Sequence, residues 1–252
     1  MKAAQILKQK INSPSPTVGA MSTYRIWPEM VEMAQRAGLD YLILDFEHLT
    51  HPSEVAAQIC MIGRMTDFPI LIRPPSHEPT TIRLMMDLGP CGLLVPSVQS
   101  VADLERVQQG IYMPPRGQRR PGGPGNFWVS DFHYHTWKTQ VEDDLIILPQ
   151  IETRLGLEHA QAIAQHPLTT AIAVGPYDLS ADLGLCWQPQ HPECQAAIQR
   201  IRQAGLQADK NMWMIGPAAA LKQEGFNFLC LGELTAILEA ALKGQVAQVK
   251  DP

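Results

Sequence analysis

Apolar residues along the chain fall into short runs separated by longer amphipathic stretches. The runs predict strands at Thr17–Met21, Tyr41–Asp45, Pro69–Arg73, Gly92–Val95, Leu145–Gln150, Ala171–Val174, Asn211–Ile215 and Phe228–Leu231. All are apolar through the middle, as strands covered on both faces of a parallel sheet are. Helical periodicity lies between them, at Pro28–Ala37, Ser53–Met65, Pro79–Leu88, Val101–Gln109, Leu155–Gln165, Pro192–Asp209 and Leu234–Val249. Pro28, Pro79 and Pro192 stand where a first helical turn tolerates proline, and Ser53 and Ser100 read as N-caps. Eight strand–helix repeats in 252 residues predict an α/β fold, a TIM (β/α)8 barrel with residues 1–252 as a single domain. A doubly wound sheet is the competitor, but no G-x-G-x-x-G follows the first strand.

One stretch breaks the alternation. Residues 112–144 are rich in Pro, Gly and aromatics and too long for an ordinary strand-to-helix connection, which marks them as a candidate functional loop. The formal net charge of −5, without a basic block, argues against a nucleic-acid partner. No apolar stretch reaches the roughly 20 residues a membrane span needs, and Met1 to Ser15 lacks the apolar core of a signal peptide. A cytoplasmic protein with a small-molecule substrate is the expectation. Cys60, Cys91 and Cys230 sit among apolar neighbours and read as core thiols. Cys186, His191 and Cys194 suggest a metal site, but Pro189 and Pro192 around the histidine favour a surface loop.

In a barrel the C-terminal ends of the strands converge on one mouth, and polar residues there are candidates for chemistry. Strand two ends in Asp45-Phe46-Glu47-His48, strand three at Arg73, strand five in Gln150-Ile151-Glu152, and strand six runs into Gly175-Pro176-Tyr177-Asp178. Glu152 and Asp178 end neighbouring strands, about 4.8 Å apart, close enough for two carboxylates to share one ion. Two oxygen ligands, with water and substrate completing the shell, suit Mg2+ or Mn2+. Asp178 could instead simply cap the helix that follows. The free backbone N–H groups of Tyr177 and Asp178 would suit a carboxylate. Arg73 offers a fixed cation for a carboxylate or a developing enolate oxygen, or a salt bridge to Asp45 or Glu47. His48 is the natural acid/base. Asp87 lies just before strand four, at the opposite rim, so it could meet His48 only from a neighbouring subunit. No lysine stands at a strand end on the mouth, which argues against a Schiff-base route.

At DFEH, RPP, LMMDLGPCGLLVPSVQS, PPRGQRR, PQIET and GPYDLSADLG the chain resembles the HpcH/HpaI aldolases, class II pyruvate aldolases of the phosphoenolpyruvate/pyruvate barrel superfamily. The similarity runs from about Gly38 to Gly232. The resemblance implies His48 as the catalytic proton acceptor and Arg73 as the residue that stabilises the transition state. It implies Glu152 and Asp178 as ligands of Mg2+, Mn2+ or Co2+. Gln150, Gly175, Tyr177 and Asp178 would join Arg73 in binding substrate, and Asp87 would raise the basicity of the histidine. It further implies a homo-oligomer, a trimer or hexamer, whose subunits exchange a C-terminal helix. The reaction implied is cleavage of a 4-hydroxy-2-oxo acid to pyruvate and an aldehyde, and its reverse. Two alternatives stand beside it: a CoA-thioester lyase of the citryl-CoA or malyl-CoA type, for which Arg116, Arg119 and Arg120 are the only basic cluster, and a non-catalytic barrel that binds a small acid. The chain departs from the family's usual pattern at Gly232-Glu233, where Gly-Asp is common, and at 216–221.

Overall fold

The computed structural model describes residues 1–250, apart from 121, 124, 125, 127, 128 and 130–132. Eight strands, β1 (Thr17–Ser22), β2 (Tyr41–Asp45), β3 (Ile70–Arg73), β4 (Gly92–Val95), β5 (Ile146–Ile151), β6 (Ile172–Val174), β7 (Met212–Ile215) and β8 (Phe228–Glu233), pair in parallel and in sequence order into a closed barrel. Closure leaves no sheet edge to protect, and helices cover the outside. Both strand faces are therefore buried, which accounts for the apolar runs of the sequence.

The surrounding helices are α1 (Lys2–Ile11), α2 (Met30–Arg36), α3 (Ser53–Met65), α4 (Pro79–Met86), α5 (Val101–Ile111), α6 (Tyr134–Gln140), α7 (Arg154–Glu158), α8 (Ala160–Gln165), α9 (Pro176–Asp182), α10 (Pro192–Gln207), α11 (Ala218–Gln223) and α12 (Leu234–Lys250). Pro79 and Pro192 occupy first-turn positions, while Pro28 precedes α2. The Asp103 carboxylate accepts from the Ser100 N–H at 2.9 Å, closing a capping box on α5. Ser53, read as a cap, is instead the first residue of α3, and Pro52 takes the cap position. The helix expected over Leu155–Gln165 is two helices. The break falls at His159, whose ring Nδ1 lies 2.7 Å from the Gln99 carbonyl oxygen.

Helix α1 was not anticipated. It buries Ala3, Ala4, Leu7 and Ile11 and binds Asp40, Asp67, Asp144 and Asn211, each within three residues of the start of a strand. It therefore lies across the N-terminal end of the barrel, opposite the mouth. The 112–144 stretch leaves α5 and enters β5 on that same rim, and its residues 121, 124, 125, 127, 128 and 130–132 lie outside the described residues. Arg116 pairs there with Glu142 and Asp143 at 3.1 and 3.0 Å.

Helix α12 follows a cap made by Glu233, whose carboxylate accepts from the N–H groups of Thr235 and Ala236 at 2.7 and 3.0 Å. None of its residues is buried, and Ile237, Leu238, Leu242, Val246 and Val249 are exposed. Among the described residues no helix is long and apolar enough to cross a membrane. Cys60, Cys91 and Cys230 are core thiols, pushed up to about 12 chiefly by burial. Cys194, expected in a surface loop, is buried in α10. His191 caps that helix, its Nδ1 accepting from Glu193 N–H at 3.3 Å, and Cys186 is exposed. The apolar side of α10 packs on the barrel, which pulls Cys194 inward.

Inside the barrel a hydrogen-bond chain ties three strands together. Trp213 on β7 donates its indole N–H to the Tyr41 hydroxyl on β2 at 2.8 Å, and that hydroxyl donates to the Leu229 carbonyl on β8 at 2.8 Å. Gly19 makes room for the Tyr41 ring, because a Cβ there would overlap it. Tyr41→Phe should leave the buried indole N–H and the Leu229 carbonyl unpaired and cost about 1–3 kcal/mol. The expected readout is a lower urea midpoint at unchanged slope.

Candidate active site

The strand ends converge as the spacing implied. Asp45 and Arg73 are register partners on β2 and β3. Arg73 donates Nε–H to Asp45 Oδ1 at 2.8 Å and Nη2–H to Oδ2 at 2.6 Å, a bidentate pair buried at the rim. Its Nη1 lies 3.1 Å from Glu47 Oε2, so both expected salt bridges form at once. Thr23 Oγ1 donates to Asp45 Oδ2 at 2.8 Å, and the Glu47 N–H to Oδ1 at 3.0 Å. Burial would raise the Asp45 carboxyl, but the hydrogen bonds and charge of Arg73 hold it below the ordinary carboxylate range.

Glu152 follows β5 and is only 4% exposed. Its Oε1 accepts from the Ser97 N–H at 2.7 Å and the Ser97 hydroxyl at 2.9 Å, and its Oε2 from the Gln150 amide. Ser97 achieves this double donation with φ at +51°, a left-handed conformation unusual for serine. Gly175, between β6 and α9, is needed by close approach, because a Cβ there would overlap Glu152 Oε2. Burial, with the negative charges of Glu47 and Asp178 adding to it, pushes Glu152 up to about 7 against the pull of the Ser97 bonds. Burial likewise raises Glu47, and the neighbouring Arg73 offsets only part of this.

His48, Arg73, Gln150, Gly175, Tyr177 and Asp178 line one cavity of about 460 Å³, with Met21, Trp187, Trp213 and Ile215 among its other walls. Glu152 lies beneath it, against Gly175. The His48 side chain is 56% exposed, its Nε2 4.0 Å from Glu47 Oε2. Asp87 is not in this group. It ends α4 at the opposite rim, where Arg119 donates to its Oδ1 at 2.8 Å and to Asn126 Oδ1 at 2.9 Å.

The donor set consists of carboxylate and amide oxygens, the chemistry hard divalent cations prefer. The buried Gln150 Oε1 has no hydrogen-bond donor, and Glu47 Oε2 is met by the Arg73 guanidinium. Among the described residues no three His, Cys, Asp or Glu side chains close on one point, so an ion here would take most of its shell from outside the protein. The Cys186–His191–Cys194 triplet forms no such site either.

A model of the HpcH/HpaI aldolase/citrate lyase family matches residues 26–228. The chain belongs to that family. It is 30% identical over 225 residues to the hydroxypyruvate/pyruvate aldolase of Chromohalobacter salexigens, covering 87% of this chain and 88% of the relative. To the 4-hydroxy-2-oxovalerate aldolase of Rhodococcus jostii it is 33% identical over 231 residues, covering 86% and 87%. The crystal structure of the HpcH/HpaI aldolase from Desulfitobacterium hafniense superposes with a TM-score of 0.87 at 25% identity, covering 98% of this chain and 97% of that one. This family member is therefore a carbon–carbon lyase.

Sequence reasoning missed Ser97, Trp187 and Trp213. Ser97 stands just past β4 at the mouth, and the strand-end rule that found Arg73 would have found it. Trp213 reads as an ordinary core residue, and nothing in the one-dimensional pattern says that its ring also walls a cavity.

The raised Glu152 carboxyl has a consequence for stability. A buried acid that titrates higher when folded stabilises the fold while protonated and loses that contribution as the pH climbs through the folded value. In chelator, the protein should lose on the order of 2–3 kcal/mol between about pH 5 and pH 8 from this group. Glu152→Gln should flatten the fall, as measured by urea unfolding across that range.

Proposed function

We propose that this lyase is a divalent-metal-dependent pyruvate aldolase that cleaves a 4-hydroxy-2-oxo acid to pyruvate and an aldehyde and catalyses the reverse addition. The observation that carries the reading is Glu152, a carboxylate buried under the cavity floor beside a second acid and a single engaged cation. Glu152 and Asp178 would hold the ion, Mg2+, Mn2+ or Co2+. Bound there, it supplies Lewis-acid stabilisation of the negative charge that develops on the keto oxygen.

The chain's own residues do the rest. Arg73, fixed by Asp45 and Glu47, keeps N–H groups beyond those it spends on them and aims positive charge at the growing oxyanion. Gln150 and the N–H groups of Tyr177 and Asp178, which a first helical turn leaves without intrahelical partners, orient the 2-oxo acid. His48 takes the C3 proton and returns one to the aldehyde oxygen. Its exposure suits proton exchange with solvent. No lysine lines the cavity, which disfavours an imine route. Asp87 would assist His48 only from a second copy, since in its own copy it stands at the opposite rim, paired with Arg119.

A lactate-dehydrogenase-coupled assay on 4-hydroxy-2-oxo acids should show pyruvate release that EDTA abolishes and Mg2+, Mn2+ or Co2+ restores. Glu152→Gln should lower kcat at least about a hundredfold with the fold retained, as loss of a group acting in the transition state does. Undiminished turnover in EDTA, or covalent trapping by borohydride, would overturn the metal route.

The uncovered apolar side of α12 fits a homo-oligomer, a trimer or hexamer in which that helix is exchanged. Light scattering should give a mass several times that of the chain. Leu238→Asp combined with Leu242→Asp should reduce it, and a monomeric wild type would count against the assembly.

A further inference from the structure

The cavity is divided by strand order. His48, Arg73, Gln150 and Asp178 come from the β2 to β6 side and carry every charged or amide group of its lining. The other side, from β7 round to β1 with the Tyr177 ring from the first turn of α9 and the loop after that helix, presents Met21, Tyr177, Trp187, Trp213 and Ile215. The first side suits a small oxo acid. The second side offers little to a polar partner, for three reasons.

The indole N–H of Trp213, the donor a polar acceptor would seek on that wall, is already given to Tyr41 at 2.8 Å. The only permanent cation in the lining is Arg73, and Asp45 and Glu47 already engage it at 2.6 and 3.1 Å. A second carboxylate on the substrate would therefore meet no further cation in this lining, and a chain of hydroxyls would find on that wall only the Tyr177 hydroxyl and the Trp187 indole N–H. Finally, the Tyr177 and Trp187 rings meet edge to face, with centroids 6.1 Å apart, and form an aromatic flap lining the cavity. Trp187 holds φ at +59°, a left-handed backbone that a bulky residue rarely adopts, although its side chain is largely exposed and no core packing repays the strain.

We infer that the aldehyde half of the substrate is uncharged and apolar, aryl or branched alkyl, and that Trp187 and Tyr177 cover it. The inference rests on the pyruvate-aldolase reading and specifies its second substrate. In the synthetic direction the C3–H bond of pyruvate breaks and its proton passes to the base. C3 bonds to the aldehyde carbon, and the carbonyl pair moves onto the aldehyde oxygen, which takes up one proton. The product is a 4-hydroxy-2-oxo acid bearing an apolar group at C4, with nothing oxidised or reduced.

The test uses the full-length protein with Mg2+ and two readouts. Exchange of the pyruvate C3 hydrogens in D2O, followed by proton NMR, reports the donor half alone. The kcat/KM for benzaldehyde, isobutyraldehyde, glyceraldehyde and succinic semialdehyde reports the acceptor half. Exchange should occur, and the two apolar aldehydes should exceed the other two by at least about tenfold, the scale on which a hydrophobic pocket discriminates. Trp187→Ala should reduce the ratio of benzaldehyde to glyceraldehyde by about tenfold with the thermal midpoint retained. Exchange together with a preference for succinic semialdehyde or glyceraldehyde would overturn the acceptor inference and leave the aldolase reading standing. A Trp187→Ala variant with an unchanged ratio would overturn the part assigned to the flap. Absence of exchange would overturn the aldolase reading and the inference with it.

Discussion

The site turns on a shortage of positive charge. Arg73 is the permanent cation at the mouth, and it faces Asp45 and Glu47 directly while Glu152 and Asp178 lie close enough to add to the local field. A buried carboxylate without a partner is expensive. The protein meets that cost unevenly: Asp45 receives two guanidinium bonds and stays charged, whereas Glu152 receives neutral donors and is pushed towards protonation. Two acids, separated only by their environments, thereby acquire different chemical tasks. The site can relieve the remaining imbalance by taking up protons or a cation, and its all-oxygen donors suit the latter.

That electrostatic arrangement depends on covalently trivial details. Gly175 lets the backbone after β6 pass against the Glu152 carboxylate, and Ser97 accepts a left-handed backbone so that one residue delivers two donors to the same oxygen. Neither residue is an acid, base or nucleophile. Both hold the carboxylate where it is costly to keep, which is how strain and burial become function. The apolar side of the cavity is held in a comparable way, with the Trp213 indole fixed through Tyr41 to the backbone of β8.

The two rims of the barrel have separate work. The C-terminal rim gathers the polar strand ends, and the N-terminal rim carries α1, the described ends of the 112–144 connection and the Asp87–Arg119 pair. The long connection looked functional on length alone. Its two described ends follow a simple rule: a connection from a helix into a strand of a barrel starts and finishes on the rim away from the mouth. Helix α12, which ends the chain, leaves its apolar side uncovered by its own copy.

Strand periodicity, read from the sequence alone, determined a parallel sheet covered on both faces, and eight repeats with no dinucleotide-binding glycine motif narrowed it to the barrel. It also put Arg73, Gln150 and Glu152 at the mouth, since a strand's direction sends its last polar residue there. Tertiary structure decided the rest. Whether Arg73 is free or paired depends on the β2–β3 register, and whether Glu152 is an ordinary surface acid or a buried one depends on how closely Gly175 and Ser97 approach. The helical α1, the break at His159 and the inward turn of Cys194 were equally hidden, because each is set by what packs against it. A sequence records which groups stand at a strand end. Only the closed barrel sets the distances between them, and those distances fix which carboxylate is charged.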